Sequence, residues 1–322
     1  MYKNRIILID GLNLFTRHFI ANPAMSENGD HVGGVVGFFN AMMRLVEKCK
    51  PEGVVVIWEG EGSKKKRGLY KEYKRNSKPQ KLNRYYEASD IPSTYQNRNF
   101  QLKTLISILT CLPVCQTYVS GAEADDAIGY LCKYLLKDKN IVIVSSDHDF
   151  YQLVNDKTII WSPTLKSFVD KTKIIDRFGI HPNNFCLAKS IAGDSSDNIP
   201  GVKGVSYKSL AKRFQKLTES HEYMLYDLVA DAKQLQKPKG PKIFERIVSS
   251  EDLIKRNNRL VLLDTNNLSL SHIEKIESDV ENFLPAYDNM TIHKILKESS
   301  IDKIDLLRWN YLLKNLKKGT IK

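Results

Sequence analysis

Carboxylates recur along this chain at the places where an α/β sheet would gather them. Asp10 ends the apolar run 5–10, Glu59 follows the run 54–58, and Asp147 and Asp149 follow the run 141–146. A fourth group opens a helical segment as Glu123-Ala124-Asp125-Asp126, and a fifth places Asp194 and Asp197 in a turn. Taken singly, each has an ordinary explanation. Ser120 to Glu123 fits a capping box, Asp149 fits the N-cap of a helix over 150–154, and Asp194 and Asp197 suit a Gly/Ser/Asn/Pro turn. Taken together they do not, because open α/β sheets bind ligands beyond the carboxyl ends of their strands. Strand order permitting, nine carboxylates then converge on one edge, and like charges that close need a counter-charge. Hard divalent cations with oxygen ligands supply it, Mg²⁺ first among them, with some acids binding through water. Two such ions against nine acids leave room for a third cation or for shifted pKa values. The seven histidines and five cysteines show no zinc-ligand spacing.

The elements that must position these acids are legible as alternating patterns. Short Ile/Val-rich runs at 5–10, 53–58, 114–119, 140–145 and 158–161 read as strands apolar on both faces. Between them lie helical periods: Val35, Phe39, Met42, Met43 and Val46; Leu102, Leu105, Ile106 and Leu109; Ile128, Leu131, Leu135 and Leu136. The expectation is an α/β fold with a central, mostly parallel, twisted sheet flanked by helices. After about residue 170 helical patterns take over, with a helix over 185–191, a turn-rich stretch over 193–201 and a helix over 207–217. Residues 1–170 are expected to form the α/β core and 171–322 a helical part that completes the same domain, since Asp194 and Asp197 must reach back to the sheet.

Composition bounds the function classes. The 322 residues carry 49 Lys+Arg against 37 Asp+Glu, a net charge of +12 that suits an anionic partner such as nucleic acid. The longest uncharged stretch, 104–122, is broken by Pro113, so no membrane span is expected. Scattered cysteines and no signal-peptide pattern point to a reducing, cytoplasmic setting. From Lys64 to Arg84 there are ten Lys/Arg and one acid, Glu72. Arg67, Tyr70, Lys71, Lys74, Lys78 and Lys81 fall on one helical face. Such a face interleaved with Tyr70 and Tyr73 suits single-stranded DNA, phosphates on the cations and bases on the rings. A solvated loop is the ordinary state of a basic run, but this one leaves directly from the strand that ends at Glu59.

Four motifs in order now resemble a known family. They are Ile7-Leu8-Ile9-Asp10-Gly11-Leu12-Asn13, Glu123-Ala124-Asp125-Asp126, Ser146-Asp147-His148-Asp149-Phe150-Tyr151-Gln152-Leu153, and Gly193-Asp194-Ser195-Ser196-Asp197-Asn198-Ile199-Pro200-Gly201-Val202-Lys203-Gly204. They are similar to those of the structure-specific 5′-nucleases: flap endonucleases, the 5′-3′ exonuclease domain of bacterial DNA polymerase I, and phage 5′-exonucleases. The resemblance implies a first metal site at Asp10, Glu123, Asp125 and Asp126 and a second at Asp147, Asp149, Asp194 and Asp197. Glu59 stands where the family has Asp, one methylene longer. Residues 60–96 would be the helical arch, with Lys74 on the scissile phosphate and Arg17 as a second phosphate contact. Where the family's arch motif continues with Arg this chain has Ser77, leaving Lys78 or Arg75 to replace it.

The stretch from Asn198 to Lys208 resembles the family's helix-three-turn-helix, expected over about 182–220. Gly201 and Gly204 would let backbone N–H groups approach a phosphate. Lys203, Lys208 and Lys212 add charge for the duplex backbone, and a K⁺ ion held by carbonyls is implied. The function so implied is a 5′-3′ exonuclease or flap endonuclease dependent on Mg²⁺, with Mn²⁺ as substitute. Asp10, Asp147 and Lys74 would be at its catalytic centre, two metals flanking the scissile phosphate and 5′-phosphate and 3′-hydroxyl products. Its partners would be 5′ flaps, 5′ ends and single-strand/duplex junctions, with an RNA–DNA hybrid as a further class and the chain acting as a free-standing monomer. A branched-DNA binder that does not cut, an RNase H-like primer remover and a PIN-type ribonuclease are the other readings. The turn over 193–201 and the helical second half argue against the last.

Overall fold

The computed structural model describes residues 5–75, 91–314, 316 and 321. Strands β1 (Ile6–Asp10), β2 (Gly53–Glu59), β3 (Cys115–Val119), β4 (Ile141–Val144), β5 (Thr158–Ser162) and β6 (Ser167–Val169) form one sheet in the order β3-β2-β1-β4-β5-β6. All neighbours are parallel except β5 and β6. Every strand read from the sequence is present, and β6, three residues long, is the addition. In register, Asp10 lies opposite Ile57 and Ile9 opposite Val144, so β1, β2 and β4 end on the same edge.

Alternation along the strands divides the core in two. Ile6, Leu8, Val55, Ile57, Ile141 and Ile143 face one layer, and Ile7, Ile9, Val54, Val56, Val142 and Val144 face the other. Helices α1 (Gly11–Ala21), α2 (Gly33–Cys49) and α4 (Ile91–Thr110) cover the second face. On the first lie α5 (Ala124–Tyr130), α7 (Phe185–Ala192), α8 (Tyr207–Arg213), α9 (Leu225–Leu235), α10 (Ile243–Ser249), α11 (Glu251–Val261) and α12 (Leu270–Glu281). The chain then crosses back, because α13 (Asn289–Glu298) packs with α4 and α14 (Leu306–Leu312) with α2. The short α3 (Lys64–Leu69) and α6 (Lys171–Phe178) complete the set. An aromatic group of Tyr151, Phe178, Phe185 and Tyr207, with centroids 5.2 Å apart for three of its pairs, fastens α6, α7 and α8 to the turn after β4.

Three local expectations need correction. The single helical face over 67–81 does not form in the described part. Helix α3 ends at Leu69, Tyr70 is extended, and Lys74 is left-handed at φ 52°. Lys66 and Lys74 both turn inward and meet on Glu123, although a continuous helix would set them about 12 Å apart along its axis. Lys78, Lys81 and Ser77 lie outside the described residues. The helix expected over 207–217 stops at Arg213 and resumes as a 3-10 turn, Gln215–Thr218. The capping roles also differ. Asp147, not Asp149, caps the 3-10 helix His148–Leu153, and Glu123 stands at the N-cap of α5 without a side-chain bond.

Trp309 of α14 is 2% exposed and lies 4.4 Å from Phe39 of α2, ring centre to ring centre. Replacing Trp309 by Ala should therefore lower stability in urea by about 3–5 kcal/mol. A loss under 1 kcal/mol would mean that α14 is not part of the core.

Candidate active site

Each acid reaches the sheet edge through its own element. Asp10 ends β1 and caps α1, accepting from the Asn13 amide at 3.1 Å. The Ser145 hydroxyl, just past β4, donates to Asp10 at 3.3 Å, while Asn13 accepts from the Ser146 amide at 3.2 Å. Glu59 ends β2 and accepts from the Ala124 amide at 3.0 Å, so it caps α5 from a neighbouring strand. The longer side chain at 59 makes that reach. Asp125, Asp147 and Asp149 come together, with one oxygen of each within 4.8 Å of the others. Asp10, Glu59, Asp125, Asp147, Lys74, Arg17 and Arg98 line an open cavity of about 560 Å³ whose apolar wall is Leu12, Ile20 and Ala21 of α1. Arg17 donates to the Thr164 hydroxyl at 2.9 Å.

The remaining acids are distributed by lysines. Lys66, its side chain 2% exposed, has its Nζ 2.7 Å from Glu123 and 3.1 Å from Asp126. Asp126 also accepts from Asn267 at 3.0 Å and does not line the cavity. Lys74 is 2.9 Å from Glu123 and 4.0 Å from Asp197. Lys189 of α7 is equally buried. It pairs with Asp149, lies 2.6 Å from Asp194, and is 3.8 Å from Asp147. Lys66 and Lys189 escaped the sequence reading. Lys66 is hidden among four consecutive cations, but Lys189 left a trace as the one charge in Phe185–Ala192.

These contacts order the proton affinities. Burial would push Glu123 up, yet Lys66 and Lys74 hold it down at about 2; Lys189 does the same for Asp194, also about 2. Burial wins elsewhere. It raises Asp10 to about 7, with Glu59 and Asp147 adding to it, and raises Asp149 to about 7 and Asp197 to about 6. Asp125 is raised well above its usual value by burial and by Asp147 and Asp10. Glu59 and Asp126 are raised too, by burial first. Carboxylates pushed up together, with all-oxygen donors a few ångströms apart, are the donor set of a hard divalent-cation site.

The expected DNA contacts are placed as follows. Arg67, Lys71 and Arg75 are exposed, as are Lys203, Gly204, Lys208 and Lys212. Arg67 donates to the Glu61 carbonyl and Arg75 pairs with Glu72 at 2.6 Å. Tyr73 is not a surface ring: it is buried, and its hydroxyl donates to Glu123 at 3.0 Å. Tyr70 lies beneath the Arg256 guanidinium, 4.1 Å from its ring centre. Gly201 is required by packing, because a Cβ there would stand 2.0 Å from the Ala192 carbonyl oxygen.

An open, mostly parallel sheet whose strand ends gather acids around one cavity offers the donor set of a divalent-cation site. The chain belongs to the 5′-3′ exonuclease family: the family's N-terminal resolvase-like domain matches residues 5–179. It is an enzyme family, and no described helix is long and apolar enough to cross a membrane. Among similar proteins, DNA polymerase I of Bacillus subtilis is 26% identical over 94% of this chain, which spans 33% of that protein's length. The 5′-3′ exonuclease of Buchnera aphidicola is 29% identical over 67% of this chain and 72% of its own. Among solved structures, T5 5′-exonuclease with divalent metal ions bound has TM-score 0.65 at 20% identity, covering 91% of this chain and 97% of its own. That likeness establishes the α/β fold with its mostly parallel sheet.

Two outcomes follow from the charge arrangement. Replacing Lys66 by Met takes the cation from buried Asp126 and leaves Glu123 with Lys74 and Tyr73, and should lower stability in urea by about 3–5 kcal/mol, with Asp126→Asn in the same chain restoring part of it. A neutral Lys66→Met would contradict the pairing. Asp10 and Asp149 hold their protons to about pH 7 when folded, whereas unfolded Asp ionises near about 3.9. Metal-free protein should therefore lose stability as pH rises from about 4 through 7, and a divalent cation should raise the melting temperature more at pH 8 than at pH 5. Glu123 and Asp194 act oppositely, but only below about pH 4. An equal gain at both pH values would contradict the raised carboxylates.

Proposed function

We propose that the chain is a Mg²⁺-dependent 5′-nuclease that hydrolyses phosphodiester bonds near 5′ ends and flaps of branched DNA, leaving 5′-phosphate and 3′-hydroxyl ends. One observation carries this reading: acids from β1, β2, α5 and the turn after β4 line a single cavity together with Lys74 and Arg17. Relatives named 5′-3′ exonuclease, flap endonuclease Xni and DNA polymerase I, and a solved T5 flap endonuclease complex with DNA and metal ions, support it.

When bound, two divalent cations supply Lewis-acid activation of water and neutralise charge on the phosphoryl and leaving oxygens. Asp10, Asp125, Asp147 and Asp149 would hold them, with Glu59 beside them at the cavity wall. Asp194 and Asp197 would complete the set from the 193–201 turn, where Lys189 now stands between Asp149 and Asp194. Lys74 turns its ammonium from Glu123 toward the phosphoryl group and offsets the charge developing there. Arg17, steadied by Thr164, receives a neighbouring phosphate. The exposed Lys203, Lys208 and Lys212 grip the duplex backbone, which carries no base sequence, so the enzyme reads DNA shape. The K⁺ ion implied at 198–208, a replication or repair role in flap or primer removal, a monomeric state and a cytoplasmic setting belong to the same proposal.

A 5′-flap oligonucleotide with mapped cleavage positions tests it. The wild type should cut with Mg²⁺ or Mn²⁺ and not in EDTA, and Asp147→Asn should lose about 100-fold or more. Undiminished activity in the variant, or none in the wild type with either metal, would refute the reading. An RNA–DNA hybrid run in parallel ranks the two substrate classes.

A further inference from the structure

Two segments far apart in sequence meet beside Lys74, and the contact has a single side chain at its centre. The 70–75 segment folds back on itself, the Tyr73 amide donating to the Tyr70 carbonyl at 3.0 Å and Arg75 to Glu72 at 3.1 Å. It is joined to the 193–201 turn by two hydrogen bonds. The Lys74 amide donates to the Asp197 carbonyl at 3.0 Å, and the Asn198 carboxamide donates to the Glu72 carbonyl at 2.8 Å. Lys74 and Asn198 face each other in left-handed backbone, φ 52° and 59°, a region non-glycine residues enter only when the surroundings hold them there.

The two partners differ in rigidity. The turn is braced by the Asp194–Ile199 bridge, at 2.8 and 2.7 Å. The buried Asn257 also braces it, donating to the Ser190 carbonyl at 2.9 Å and the Pro200 carbonyl at 2.8 Å. Gly193 and Gly201 touch backbone to backbone. The 70–75 segment, by contrast, follows a helix of only six residues and is anchored by side chains, the buried Tyr73 on Glu123 and Tyr70 beneath Arg256. We infer that Asn198 is a positioning residue: its carboxamide fixes the base of the arch segment to the rigid turn and thereby sets where the Lys74 ammonium stands over the acidic cavity. The inference deepens the nuclease reading and rests on it.

Asn suits both demands of the position. It enters the left-handed region more readily than other side chains do and offers a donor. Glycine meets only the first demand, and aspartate has the reach but no proton to give. Asn198→Gly should therefore lower kcat on a 5′ flap about tenfold with KM little changed, since the duplex grip is untouched. In a Lys74→Ala chain the same change should have no further effect, because the carboxamide acts through Lys74. Amide exchange of the 70–75 peptide should quicken in Asn198→Gly without substrate. Asn198→Asp should show the same three effects and serves if the glycine variant does not fold. Full kcat in the variants, or an equal loss in the Lys74→Ala chain, would overturn the inference. If the wild type cuts no flap, the nuclease reading falls. Amide exchange then decides the tether alone: unchanged exchange removes it and quickened exchange keeps it.

Discussion

Burying anions at close quarters is the constraint on which the rest of this structure depends. Nine carboxylates stand at or near one sheet edge, several of them almost wholly enclosed, and isolated charges in such surroundings are strongly disfavoured. The chain answers with lysines rather than with hydrogen bonds alone. Lys66 serves Glu123 and Asp126, Lys74 serves Glu123 and Asp197, and Lys189 serves Asp149 and Asp194. What they leave without a lysine ion pair is Asp10, Glu59 and Asp125, whose proton affinities burial and neighbouring carboxylates raise. The deficit of positive charge is thus localised, and it lies inside the cavity. Lys66 therefore reads as architecture, fully enclosed and not lining that cavity, whereas the partly exposed Lys74 pairs with Glu123 and lines it.

The sheet was legible because parallel strands are buried on both faces and so appear as unbroken Ile/Val runs. β6 was not, since three residues carry no period. The convergence of acids was legible from their places at the ends of strands, which topology alone brings together. Which acid faces which cation was not. Asp125 and Asp126 are adjacent in sequence, yet one helical step of about 100° sends Asp125 to the cavity and Asp126 to Lys66 and Asn267. Likewise the basic run 64–75 has the spacing of an exposed stripe, and only the presence of Glu123 above it explains why Lys66, Tyr73 and Lys74 turn inward. Such pairings join residues about fifty positions apart, beyond the reach of any local pattern.

The two core layers explain why the helical half belongs with the sheet. Helices α9 to α12 share one hydrophobic layer with Ile6, Leu8 and Val55, while α13 and α14 share the other with Ile7, Ile9 and Val56. The second half of the chain therefore clasps the sheet from both sides. Its turn over 193–201 is brought to the sheet edge by α7, whose Phe185 packs against Tyr151 just after Asp149.

Glu59 adds a last point. Its carboxylate accepts the first amide of α5, which makes the neighbouring helix depend on the length of a side chain in β2. Shortening that side chain to aspartate would withdraw the cap and leave the Ala124 amide to find water or to draw Glu123 back upon it, away from Lys66 and Lys74. The first turn of α5, which carries Asp125 toward the cavity and Asp126 toward Lys66, is thus held in part by the acid that ends β2.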